Sequence, residues 1–241
     1  MPLLRFSTAA LLFGAACALS SLAQAQPTVY INNLAPFVYT ENGAQQGVVY
    51  ELMQLLARRR AYQGAIIAAP IKRRAAQLDA QADSFGVLWR MPDNESDFTW
   101  LFRLLDDPIR LLARSDSTVD ISSIDKARNL HIGVILGGPS ESVARRLGFT
   151  HIEAIASVNS NALKLQARRI DAWLGIESLA TYAERDGGMQ FRRGPVVGSA
   201  SLYFACGRQC SASEAQKWTE AYNSIKADGS MNAILLKYHF H

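Results

Sequence analysis

An apolar run in the stretch FGVLWRMPDNESDF ends at Trp89-Arg90 and breaks into a proline and charges. An indole offers a broad flat face, and a planar guanidinium offers paired N–H donors that fit a carboxylate. In the turn GGPSES, residues 137–142, two glycines precede Ser140 and Glu141. A helix starting there would present backbone N–H groups to an anion or a carbonyl. Phe37 and Tyr39, in the early loop LAPFVYT, add flat apolar surface. These are the chemistries of recognition. For catalysis the chain supplies carboxylates such as Glu141 and Glu177, yet no Ser-His-Asp set has spacing to support it. The four histidines, His131, His151, His239 and His241, show no metal-ligand spacing with the cysteines, and no cofactor is implied.

A repeating scaffold carries these groups. Residues 28–32 read as a strand, and after Gln46-Gly47 the segment VVYELMQLLARRRAY places Val48, Leu52, Leu55 and Leu56 at helical spacing. Residues 65–69 make a second strand, Pro70 opens the helix IKRRAAQLDAQ, and 85–88 make a third strand with Trp89-Arg90 at its carboxyl end. After 109–114 comes the polar, turn-rich SDSTVDISS, and the pattern restarts. Helix SIDKARN, strand HIGVIL, turn GGPSES, helix VARRLGF and strand HIEAI precede helix ALKLQARR, strand DAWLGI and helix ESLATYAER. FRRGPVVG then leads into a strand SLYFAC and two closing helices broken at Gly229. Short apolar strands alternating with amphipathic helices predict an α/β architecture. Two such sets, joined by extended segments near 112–116 and 196–202, predict two lobes with a central cleft. Open α/β sheets bind ligands outside the carboxyl ends of their strands.

Arg5, the apolar run at 9–16 and Ala23-Gln24-Ala25 read as a secretory signal peptide over residues 1–25. Gly14 stands where a lipid-anchor site at Cys17 would want a bulky aliphatic residue, which argues against that anchor. Removing Arg5 lowers an already modest formal charge of +4. The remaining bases are scattered or in short clusters such as Arg58-Arg59-Arg60, without interleaved aromatics, so nucleic acid is not an expected partner. Only Cys206 and Cys210 follow the leader. In an oxidising compartment they are candidates for a local disulfide, with a role in stability rather than chemistry.

The order of motifs resembles the family 3 solute-binding proteins of bacterial periplasms, the type II two-lobed fold that serves ABC importers. LAPFVYTENGAQQGVVYELMQLLA matches that family's opening A-P-F loop, Gly and helix. RNLHIGVILGGPSE resembles its second-lobe strand and ligand-binding turn, ARRIDAWLGIESLATYA its G-x-x-D-A segment, and AYNSIKADGSMNAILLKYHF its final helix, D-G and K-Y ending. The resemblance implies a type II periplasmic-binding-protein-like fold with a two-segment hinge. Lobe 1 is expected over 26–113 and 200–241, and lobe 2 over 114–199. It further implies a monomeric periplasmic protein that captures a small polar or acidic solute, amino-acid-like or a carboxylate, without turnover. The implied partner is an ABC permease in the inner membrane.

Two departures from the family pattern bear on the ligand. The opening stretch resembles the family's R-T-P-E-R-E segment, whose second arginine clamps the ligand carboxylate; the residue here is Asn94. Counting five from Asp171, where amino-acid binders place an aspartate for the ligand ammonium, gives Ile176, with Glu177 one step on. Arg90 or Arg73 could replace the clamp, or either could be a solvated surface charge. Trp89, Tyr39 and Phe37 are expected as cleft walls, with core packing as the alternative. Ser140 could cap its helix as well as touch a ligand, and Asn159, ahead of another helix, is a minor candidate. The sequence is also open to two other functions: a ligand-sensing module without transport, and an exported enzyme of the cyclohexadienyl dehydratase type.

Overall fold

The computed structural model describes residues 26–80 and 84–240, apart from the side chains of Ile71, Lys72, Asp79, Val158 and Asp186. The expected signal peptide lies outside the described residues. The amino-terminal portion holds β1 (Val29–Asn32), the hairpin β2 (Tyr39–Glu41) and β3 (Ala44–Gln46), α1 (Val48–Arg59), β4 (Ile66–Ala69), α2 (Ile71–Ala80) and β5 (Phe85–Trp89). Helix α1 forms because Val48, Val49, Leu52, Met53 and Leu56 recur on one face and are fully buried there. Gly47 leads into it at φ 120°, a conformation that suits glycine.

A long strand, β6 (Thr99–Arg114), is followed by α3 (Ile124–Ala127), β7 (His131–Ile135), α4 (Pro139–Arg146) and β8 (His151–Ile155). Next come α5 (Val158–Gln166), β9 (Ala172–Ile176) and α6 (Glu177–Gly187). The second long strand β10 (Phe191–Cys206) leads to α7 (Ala212–Ala227) and α8 (Ser230–Lys237). One eight-stranded sheet results, in the order β4-β1-β5-β10-β6-β9-β7-β8. On one flank β1 runs parallel to β4 and β5, and on the other β7 runs parallel to β8 and β9. The antiparallel pair β6 and β10 joins them. Strand β5 pairs with Leu202–Cys206 of β10, whereas β9 pairs with Ile109–Leu112 of β6. Each long strand therefore serves both lobes.

The β6–β10 ladder shifts register between Arg193 and Val196 and again between Val196 and Gly198. Pro195 lies in that interval, and a proline cannot donate to the ladder. Pro108 on β6 faces Ser199 of β10. The irregular stretch coincides with the crossing between lobes. Strand β10 starts at Phe191, upstream of the expected SLYFAC, because FRRGPVVG already pairs with β6 despite its glycines and proline. Cys206 and Cys210 are disulfide-bonded, with Cα atoms 5.8 Å apart. The lobe 1 core is aromatic: Phe204 stacks on Phe85 and Phe102, and Trp218 lies 4.9 Å from Phe204. No helix among the described residues is long and apolar enough to cross a membrane.

Candidate functional site

A cavity of about 570 Å³ lies between the lobes. Lobe 1 contributes Pro36, Tyr39 and the chain's last described residues, Lys237 to Phe240; the crossing contributes Asp106, Asp107 and Pro108; α6 contributes Glu177, Ser178, Tyr182 and Arg185. Tyr39 reaches across to Tyr182, ring centroids 5.6 Å apart, and the Arg185 guanidinium lies 5.1 Å from the centre of the Tyr182 ring. These aromatic faces can take an apolar or cationic body. At another point between the lobes Ser142 Oγ donates to Asp93 Oδ2 at 3.4 Å.

Asp107 is the chemically distinctive group. Its side chain is 2% exposed, and Oδ1 accepts the backbone N–H of Ser178 at 3.2 Å. Oδ2 has no hydrogen-bond partner among the described residues. Burial pushes the carboxyl up to about 7, against hydrogen bonding from Ser178 and with a further upward contribution from the Glu177 charge. The placement follows from the fold: Asp107 lies where β6 changes lobes, and α6 starts directly at the carboxyl end of β9, so its first turn directs a backbone N–H at the carboxylate.

Glu177 also lines the cavity, but its charge is committed. One oxygen lies 2.6 Å from Arg110 Nε and the other 2.6 Å from Arg193 Nε, while Arg193 also holds Glu184 at 2.7 Å. The hydrogen bonds that Arg193 donates to Glu184 and then to Glu177 hold its guanidinium above the ordinary value. Glu177→Gln is accordingly expected to lower stability by roughly 1–2 kcal/mol, discounted for partial exposure, because two arginines lose a carboxylate. A urea midpoint measurement checks this; an unchanged midpoint with strongly weakened solute binding would make Glu177 a ligand group instead.

The other expected residues are placed elsewhere. Phe37 and Trp89, 0% and 2% exposed, meet edge to face in the lobe 1 core, and Phe37 also packs on Phe240. β5 is covered on both faces, which leaves Trp89 no open side. Asn94 ends a 3₁₀ turn, where its Oδ1 accepts Met91 N–H at 2.8 Å and its Nδ2 donates to the Trp89 carbonyl at 2.9 Å. That bracket and Pro92 account for the abrupt end of the strand at Trp89-Arg90. Arg90 is exposed, forks onto Glu95, and lies 5.0 Å from the Tyr203 ring centre. Arg73 is exposed on α2 and Asn159 on α5. Ser140 Oγ accepts from Ile135 N–H at 3.4 Å, closing the turn, while Gly138 is the N-cap of α4. Glu141 accepts Gly137 N–H at 2.7 Å and pairs with Arg145. Of the ten candidates, Tyr39 and Glu177 line the cavity. Asp107, Tyr182 and the chain's end line it without being among those candidates. Asp106-Asp107-Pro108 inside an apolar strand was the available signal.

Two α/β lobes on a shared antiparallel pair, with a cavity at their junction, constitute the type II periplasmic-binding-protein fold, and solved structures of that class match the chain. One is the substrate-binding protein of an amino acid ABC transporter, with a TM-score of 0.75 at 17% identity over 88% of this chain and 98% of that one. A histidine kinase sensor domain similar to periplasmic binding proteins gives a TM-score of 0.79 at 14% identity, covering 88% and 95%. An ancestral amino-acid-binding protein, a precursor of cyclohexadienyl dehydratase, gives 0.77 at 15% identity, also covering 88% and 95%. No family model matches the chain, and no curated protein matches it in sequence.

Proposed function

We propose that this chain is an extracytoplasmic solute-binding protein that holds a small amino-acid-like solute by its amine in the interlobe cavity. The observation that carries the reading is Asp107, a buried carboxylate with one oxygen unpartnered among the described residues, lining a cavity walled by Tyr39 and Tyr182. An ammonium donates to such an oxygen, and the aromatic faces suit a flat or apolar body. Asn94, which the resemblance sets at the carboxylate-clamp position of amino-acid binders, is bound into its own turn, which supports recognition through the amine. Residues 1–25 fit an export signal, and the proposed setting is the periplasm, where a monomer delivers solute to an ABC permease. Lobe 1 is proposed to begin at 26 and resume near 200. The pairing of Ile109–Leu112 with β9 supports a first crossing before 109, within the stretch 26–113 expected for lobe 1.

A second reading has its own support. A carboxyl raised to about 7 is suited to proton transfer near neutrality, so a dehydratase-type enzyme uses the same residue. One experiment separates the two. Amines, amino acids and aromatic acids are screened by thermal shift against wild type and Asp107→Asn, and prephenate and arogenate are assayed for product. Stabilisation by amine-bearing solutes, lost in the variant, with no product, supports the binder. Turnover lost in the variant establishes the enzyme. Amine stabilisation unchanged in Asp107→Asn removes Asp107 from the site.

A further inference from the structure

Lobe 1 holds a second buried charge, away from the interlobe cavity. Arg74, on α2, is 1% exposed, and its Nε, Nη1 and Nη2 have no hydrogen-bond partner among the described residues. Asn32, the last residue of β1, is fully buried, and both polar atoms of its side chain are likewise unpartnered. The two share one side of the sheet. Tyr30 lies two residues before Asn32, hence on the same face, and Tyr30 Oη donates to Gln77 Oε1 of α2 at 3.2 Å. Arg74 lies three residues before Gln77 and four before Leu78, which packs with Tyr30 and Ala69, so it belongs to the same helix stripe. Helical side chains lean toward the amino terminus. Here that end adjoins β4, whose Ala69 pairs with Asn32. The first turn of α2 carries no acidic residue.

A guanidinium taken out of water without a counter-charge is strongly disfavoured, and removing one partner of a buried pair is among the most damaging changes a protein can suffer. Burial draws the Arg74 group down to about 9, and among the described residues no neighbouring charge opposes it. We propose that Arg74 and Asn32 form a binding site for a small carboxylate anion of the formate or acetate class. The guanidinium supplies two parallel donors, the Asn32 amide a third, and the amino end of α2 a favourable dipole. This site lies wholly within lobe 1 and stands apart from the reading of the cavity.

The test is thermal unfolding of the purified protein with sodium acetate or formate, against chloride at equal ionic strength. Acetate is expected to raise the wild-type melting temperature saturably, on the order of 5–10 °C at a hundredfold excess over Kd, and chloride to do less. Arg74→Met is expected to melt no lower than wild type without acetate and to lose the response. Asn32→Asp places a carboxylate beside Arg74, so it is expected to melt higher without acetate and to ignore added acetate. Asp107→Asn keeps the response, which separates this outcome from that of the cavity. A wild type indifferent to acetate, or an Arg74→Met variant that still responds, overturns the proposal. So does destabilisation by Asp79→Asn or Asp83→Asn in a protein indifferent to acetate, since a carboxylate of the chain then serves Arg74.

Discussion

Asp107→Asn is expected to weaken binding of an amine-bearing solute by roughly 30-fold to several thousandfold, while making the free protein more stable above neutral pH. The affinity loss follows from removing one partner of a desolvated, charge-assisted contact, about 2–5 kcal/mol. The stability gain follows from linkage. Burial raises the Asp107 carboxyl from 3.8 to about 7. Between those values the folded chain keeps a proton that the unfolded chain has released. Stability from this group therefore falls as pH rises through that window, by on the order of 4 kcal/mol in all. Asparagine mimics the protonated acid, so the variant lacks this slope. Urea midpoints at pH 5 and pH 8 for both proteins, with calorimetric titration of a solute found by the screen, measure both effects. A variant less stable at pH 8 that binds as tightly as wild type would mean that Asp107 braces the crossing rather than the solute. Opposite signs for stability and binding are the mark of a residue retained for function at a cost to the fold.

The alternation of strands and helices was legible because each element buries one face in sequence order, as α1 does with Val48, Leu52 and Leu56. The two-lobed plan was legible for the same reason, since the pattern restarts after β6. What local pattern could not supply was the pairing of distant segments. FRRGPVVG has two glycines and a proline, which argue against a strand, yet β6 alongside it holds it extended. Site residues suffered most. Trp89 and Arg90 were conspicuous by type, but the type of a residue does not say which way its strand faces or what the next turn will bind. Asn94 satisfies the Trp89 carbonyl, and Glu95 takes Arg90. Both partners were visible in the sequence, and neither pairing was. Asp107 is not legible in the sequence because its setting depends on three elements meeting: the crossing of β6, the start of α6 and the chain's end from Lys237 onward.

Gly47→Ala is expected to cost about 3–5 kcal/mol, a drop of roughly 6–15 °C in melting temperature, and to disturb the cavity from a distance. Gly47 sits at φ 120° and ψ 158°, a region that side chains rarely adopt. A Cβ there would lie 2.4 Å from the Phe37 carbonyl oxygen and 2.7 Å from that of Pro36, both backbone atoms. Neither can rotate away as a side chain would. The same carbonyls accept the first N–H groups of α1, Val48 N to Pro36 O at 3.3 Å and Val49 N to Phe37 O at 3.0 Å, while Gly47 N donates to Tyr238 Oη at 3.1 Å. Relieving the clash moves the loop off the helix and carries Tyr39, two residues past Phe37, away from Tyr182. Gly43→Ala provides the comparison. Gly43 has φ 77° but nothing within 4 Å of an added Cβ, so it bears the backbone cost alone, about 1–2 kcal/mol. Near-ultraviolet circular dichroism and thermal melts of the two variants separate strain from collision. Equal losses would show that the loop yields freely and that Gly47 does not hold Tyr39 at the cavity. A much larger loss at Gly47, with weakened solute binding, ties the glycine that starts α1 to the aromatic wall of the site.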